Sequence, residues 1–243
     1  GHGPALRTAV AGALGLGVPD GPWHAARDGM AELAGWLSLV TGGLGKMGLD
    51  LIQLGQSEVG EVTAGTGGGS STMPQKRNPI SSELIIATAK AVRQQAGLML
   101  DAMVADFERA TGPWHLEWMA VPESFILSAA CLHQAKFMLG GLVVDAGRMR
   151  ANLDLTGGLI VAEAVMMAAA PKLGRGRAHD AVYDACRAAI ASGRSLAEAL
   201  GEVPEVVEAL GGRDAAERRC DPANYLGLAP LMVDRVLAGR AGA

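Results

Sequence analysis

A chain of 243 residues with 49% hydrophobic content can bury one large core or two smaller ones. Its formal net charge of -4 is mild and its basic residues are scattered, which excludes a nucleic-acid footprint. Cys131, Cys186 and Cys220 are far apart and form no CxxC pair, which excludes a disulfide frame or a zinc site.

The cysteines read instead as buried or free thiols of a reducing compartment. No charged segment followed by an apolar run opens the chain, so the expected location is the cytoplasm. The most apolar stretch, 33–44, is too short to span a bilayer and is ended by Lys46, so no membrane is expected. Aromatics are scarce while Ala, Leu, Gly and Met are plentiful, which suits an all-α fold packed through small residues.

In chain order, 4–16 is expected as a short helix stopped by Gly17 and Pro19. A long helix is expected over 23–58, with Leu33, Leu37, Val40, Leu44, Met47 and Leu51 on one face. Gly42, Gly43, Gly45 and Gly48 interrupt it, at about 1 kcal/mol each against Ala. A helix tolerates that best where a neighbouring backbone approaches closely. The next helix is expected over 81–109, with Ile85, Ala89, Val92, Ala96 and Met99 facing inward. After a break at Gly112-Pro113, another is expected over 122–140. Three long helices with short connections imply an elongated bundle.

Near Asn152 the helical segments shorten: 159–170, 177–192, 196–200, 204–210 and 228–237. The expected division is a partial bundle over 1–150 and a small helical domain over 151–243.

The segment Gly69–Pro79 reads GSSTMPQKRNP, at the heart of a loop expected over 65–79. Gly67, Gly68 and Gly69 permit its entry to bend, and Pro74 and Pro79 stiffen its exit. Such a loop suits a lid over an anionic substrate.

This segment resembles the signature of the fumarase/aspartase superfamily. Three other stretches are similar to its bacterial 3-carboxy-cis,cis-muconate cycloisomerase branch: Phe107 to Trp118 (FERATGPWHLEW), Met149 to Thr156 (MRANLDLT) and Asp221 to Gly227 (DPANYLG). The resemblance implies a long central helical bundle followed by a small C-terminal helical domain. It also implies a homotetramer whose active sites are shared between subunits. It covers about the C-terminal half of such a protein. The segment that carries the family's acid histidine has no match here.

Family chemistry moves a proton beside a carboxylate, so the main task is stabilising developing negative charge. By resemblance Ser70 is the catalytic base, its alkoxide stabilised by loop N–H groups and nearby cations. Lid closure would strengthen those interactions by excluding water. Lys76 supplies positive charge and Asn78 amide donors. Thr72 and Met73 offer backbone N–H groups to substrate. Ser71 either contacts substrate or only shapes the loop, and Arg77 is a surface charge or a ligand.

Glu83 stands at a helix start, where an acidic side chain is favourable, and it also matches a glutamate that orients the acid histidine in relatives. His24 and Arg27, three apart, are expected to share one helical face and meet a substrate carboxylate. Arg109 sits where relatives keep a substrate-site arginine, suited to bidentate carboxylate binding. Trp114, His115 and Trp118 read as packing around the helix break. The stretch from Ala110 to Trp118 is bulky and apolar where adenylosuccinate lyases carry a serine-rich run, which disfavours that nucleotide substrate.

The implied activity is a cofactor-free, metal-free cycloisomerase acting on a small polycarboxylate, lactonising 3-carboxy-cis,cis-muconate. A fumarate-releasing lyase on a substituted succinate, and a non-catalytic protein on the same scaffold, are the alternatives.

Overall fold

The computed structural model describes residues 1–64, 68–69, 77–108 and 111–241. The fold is all-α. It divides into two compact units, Gly1–Val144 and Asp145–Ala243.

In the first unit, α1 (Gly3–Leu14) starts at a proline in its first turn and stops at Gly15. That residue adopts a left-handed φ of 66° and returns its N–H to the carbonyls of Ala11 and Gly12. Three long helices follow: α2 (Asp28–Leu54), α3 (Ile80–Ala102) and α4 (Pro113–Gly140). Two small apolar clusters give their directions. Ala34 of α2, Met99 of α3 and Ala120 of α4 form one. Ile85 of α3 and Cys131, Ala135 and Met138 of α4 form the other, with Leu44, Met47 and Leu51 of α2 against them. The start of α2 therefore meets the end of α3 and the start of α4, and each helix runs antiparallel to the one before. Short ladders close the connections. β1 (Val62–Thr63) pairs with β4 (Val143–Val144), and β2 (Gly68–Gly69) pairs with β3 (Arg77–Asn78).

The buried seam of α2 differs from the expected face. Ala31, Ala34, Leu37, Thr41 and Gly48 are buried, while Leu33, Val40, Leu44, Met47 and Leu51 flank them half-buried. Close helix approach selects the small residues. A Cβ on Gly48 would stand 3.2 Å from the Ser82 carbonyl oxygen, and one on Gly45 would stand 3.2 Å from the Ala89 Cβ. Gly42 and Gly43 face open space instead.

Four expected boundaries move. Helix α2 begins at Asp28, not residue 23, and ends at Leu54. Helix α3 stops at Ala102; Val104 and Phe107 beyond it are exposed, so no buried face extends it to residue 109. Helix α4 starts at Pro113, whose missing N–H is harmless in a first turn, and runs through Pro122. An unbroken buried stripe of Glu117, Ala120, Ser124, Ser128, Cys131, Ala135 and Met138 keeps it helical across that proline.

The second unit contains α5 (Ala146–Asp154), α6 (Ala162–Leu173), α7 (Arg175–Ser192), α8 (Leu196–Leu200), α9 (Pro204–Leu210), α10 (Arg213–Cys220) and α11 (Ala229–Ala241). Helices α6 to α10 pack around Val165, Ala169, Val182, Leu196, Leu200 and Val206. A capping box opens α8: the Ser195 hydroxyl accepts the Glu198 N–H while the Glu198 carboxylate accepts the Ser195 N–H. Arg150 bridges Asp154 and Asp221. Among the described residues, no single helix is long and apolar enough to cross a membrane.

Candidate active site

The described candidate residues fall at two opposite ends of the three-helix bundle. At the first end, the β2–β3 ladder sets Gly68 opposite Asn78 and Gly69 opposite Arg77, so the residues that flank 70–76 lie side by side. Ser70, Ser71, Thr72, Met73 and Lys76 lie outside the described residues. Asn78 is half-buried beside Pro79, which caps α3. Glu83 is exposed on the first turn of α3, and its N–H donates to the Pro79 carbonyl at 3.0 Å.

Two serines tie this loop exit to the end of α4. The Ser81 hydroxyl donates to Gln134 Oε1 at 3.0 Å, and the buried Ser82 hydroxyl donates to Met138 Sδ at 3.0 Å. The positive end of the α3 dipole thus sits, firmly anchored, where the signature segment returns to the bundle. Such a terminus favours a carboxylate.

The second end joins the starts of α2 and α4. His24 and Arg27 precede α2 in irregular backbone, so the expected pairing on one helical face does not form. Arg27 is instead held by Glu117 of α4. Its Nε–H donates to Oε1 at 2.6 Å and its Nη2 to Oε2 at 2.5 Å, with each side chain only 6% exposed. This is the bidentate arrangement that guanidinium and carboxylate planes favour. The hydrogen bond to Glu117 raises the Arg27 pKa, against the opposing effect of burial.

The guanidinium also lies over the Trp23 ring at 5.8 Å, and that ring stacks on His24 at 6.2 Å and 14°. On α4, Trp118 meets Trp114 edge-on at 5.0 Å and His115 at 4.7 Å. Arg109 lies outside the described residues.

Sequence reasoning missed Glu117. Its stretch was read as apolar and aromatic, yet it carries a buried charge whose partner is 90 residues away. The available signal was position: Glu117 falls in register with the buried stripe of α4, where an acidic side chain needs a cation.

Helix α2 has 27 residues and is about 40 Å long. Asn78 and Glu83 therefore stand far from His24 and Arg27 within one chain. Among the described residues, no group of three His, Cys, Asp or Glu side chains converges as a metal ligand set.

Comparisons with known proteins agree with this architecture. A family model described as "Lyase" matches residues 3–93, and one described as "Adenylosuccinate lyase C-terminus" matches residues 158–236. The chain is 48% identical over 236 residues to a 3-carboxy-cis,cis-muconate cycloisomerase of Pseudomonas aeruginosa, covering 96% of this chain and 51% of that protein. It is 46% identical to trans-aconitate decarboxylase 1 of Mycosarcoma maydis, covering 98% of this chain and 48% of that one. The crystal structure of the 3-carboxy-cis,cis-muconate lactonizing enzyme from Pseudomonas putida superposes with a TM-score of 0.90 at 40% identity. That match covers 100% of this chain and 54% of the other. The chain thus spans about half the length of the curated relatives it matches. It belongs to the fumarase/aspartase superfamily, the fumarate lyases.

Proposed function

We propose that the full-length protein is a cofactor-free cycloisomerase that converts 3-carboxy-cis,cis-muconate to its lactone. The observation that carries this reading is the 48% identity over 236 residues to a 3-carboxy-cis,cis-muconate cycloisomerase. The GSSTMPQKRNP segment, flanked by the β2–β3 ladder at the N-terminus of α3, supplies the proton chemistry. In the lactonising direction a substrate carboxylate oxygen bonds to one carbon of the double bond. The displaced electron pair moves onto the neighbouring carboxyl group, and Ser70 delivers the proton to carbon. In reverse, the Ser70 alkoxide removes that proton. Lys76, Asn78 and the N–H groups of Thr72 and Met73 stabilise the doubly charged carboxyl group, where preorganised donors are most effective. Ser71 shapes the loop or touches substrate. Glu83 orients the acid histidine, His24 and Arg109 hold the remote carboxylates, and Arg27, taken up by Glu117, supports the segment that carries His24.

The separation of Asn78 and His24 at opposite bundle ends supports a site assembled from several subunits, in a homotetramer as the family resemblance implies. Exposed Trp36 and Leu39 on α2 and Phe125 and Ile126 on α4 supply apolar surface for such contacts. The cytoplasm fits the free thiols.

The test is ultraviolet absorbance with 3-carboxy-cis,cis-muconate and, separately, aspartate-type succinates. Loss of muconate absorbance with lactone formation is expected; fumarate release from succinates alone would replace this reading with a lyase.

A further inference from the structure

Residues 20–26, which carry His24, have little backbone support. Among the described residues none forms a backbone hydrogen bond with this segment; the first such bonds are those from Met30 and Ala31 to the Arg27 carbonyl. The segment is nonetheless tied down at one side chain. Arg27 is gripped by both oxygens of Glu117, at 2.5 and 2.6 Å, in a place 6% exposed. Its guanidinium supports the Trp23 ring at 5.8 Å, and that ring lies nearly parallel to the His24 imidazole.

We propose that Glu117 is a positioning residue, which sets the orientation of the His24 imidazole through Arg27 and Trp23. Glu117 is itself buried, on the second turn of the 28-residue helix α4 and at the head of its buried stripe, whereas His24 is exposed on irregular backbone. The relay carries the rigidity of α4 to a side chain that the backbone alone leaves loose. It also sorts the two basic groups: Arg27 is already neutralised by a carboxylate, so His24 is the group that this end presents to a substrate anion. The proposal rests on the substrate role assigned to His24 above.

The test uses the full-length protein and reads His24 directly. Diethyl pyrocarbonate modifies exposed imidazoles, and peptide mass spectrometry gives a rate for each histidine. Glu117→Gln is expected to raise the His24 rate severalfold while His133 and His179 keep theirs. Glu117→Asp, which keeps the charge, is expected to return the rate part of the way to wild type. In turnover, kcat/KM is expected to fall about 10-fold to 10²-fold, mainly through KM, as for a misplaced binding group. Trp23→Leu, which leaves the ion pair intact, must give the same increase in the His24 rate, so the relay is testable even if Glu117→Gln does not fold. A folded Glu117→Gln, or Trp23→Leu, with an unchanged His24 rate would reduce the ion pair to a strut between α2 and α4 and overturn the proposal. If wild type does not convert the muconate, the assigned reaction fails while the His24 rates still decide the relay.

Discussion

Arg27 and Asn78 occupy opposite ends of one three-helix bundle, separated by roughly the 40 Å length of α2. The described candidate site residues are therefore split between the Asn78–Glu83 end and the ion-pair end, and the two make separate predictions.

The ion pair is buried at both partners, so breaking it from one side strands a charge. Glu117→Ala is expected to cost about 3–5 kcal/mol in urea unfolding. Replacing both partners, Arg27→Met with Glu117→Leu, is expected to recover most of that loss. Equal destabilisation in the single and double variants would show that the pair is not the source.

Glycines in α2 divide by what faces them. Gly42→Ala gains helix propensity in open space and is expected to stabilise this chain by about 0.5–1 kcal/mol. Gly48→Ala gains the same propensity but sets a methyl 3.2 Å from the Ser82 carbonyl oxygen, and is expected to be destabilising. Thermal unfolding of the two variants should move in opposite directions.

How much of this was readable beforehand depends on side-chain size. The three long helices and the inward face of α3, with Ile85, Ala89, Val92 and Met99 buried, follow from apolar spacing. The start of α4 does not, because its buried stripe is built from Glu117, Ala120, Ser124 and Ser128, which carry no hydrophobic period, and Pro122 suggested a boundary. Membership of the superfamily was legible in GSSTMPQKRNP, because so many fixed positions rarely coincide. The Arg27–Glu117 pair was not, because nothing local links residues 90 apart. His24 and Arg27 were expected on a helix; the actual start at Asp28 leaves them in a segment shaped by that distant contact.

Acid should weaken the second unit through three carboxylates. Asp221 is held below the usual range, first by the Ala223 N–H and then by Arg150. Glu202 is lowered by its paired bonds to Arg194, and Glu198 by the N–H and then the hydroxyl of Ser195. A lowered folded-state pKa means that the unfolded chain binds more protons in the intervening range. The stabilisation is complete above the ordinary carboxylate values of about 4 and is lost as pH falls through the lowered ones. Glu198 and Glu202 are exposed and Asp221 is only half-buried, so the effect is modest and reduced by salt. Both tyrosines, Tyr183 and Tyr225, lie in this unit, so tyrosine absorbance isolates it. Asp221→Asn is expected to flatten the acid dependence and lower stability at pH 7. A variant with the same acid dependence as wild type would rule out this source.

The Cys220 thiol is pushed up to about 11, chiefly by burial and then by Cys186 and Glu217. It should remain protonated and unreactive to iodoacetamide at pH 8 until the second unit unfolds, because the thiolate is the nucleophile. Rapid native-state alkylation at Cys220, located by peptide mass spectrometry, would contradict the packing around α10.

Under the proposed function, one active site draws on opposite bundle ends of different chains. Ser70→Ala and His24→Ala each remove one end, so each is expected to abolish most turnover of 3-carboxy-cis,cis-muconate. Co-expressing the two variants of the full-length protein with different tags, then purifying assemblies that carry both, gives the decisive rate. Recovered activity is expected, because some sites in the hybrid combine an intact Ser70 with an intact His24. Hybrid assemblies as inactive as their parents would contradict it.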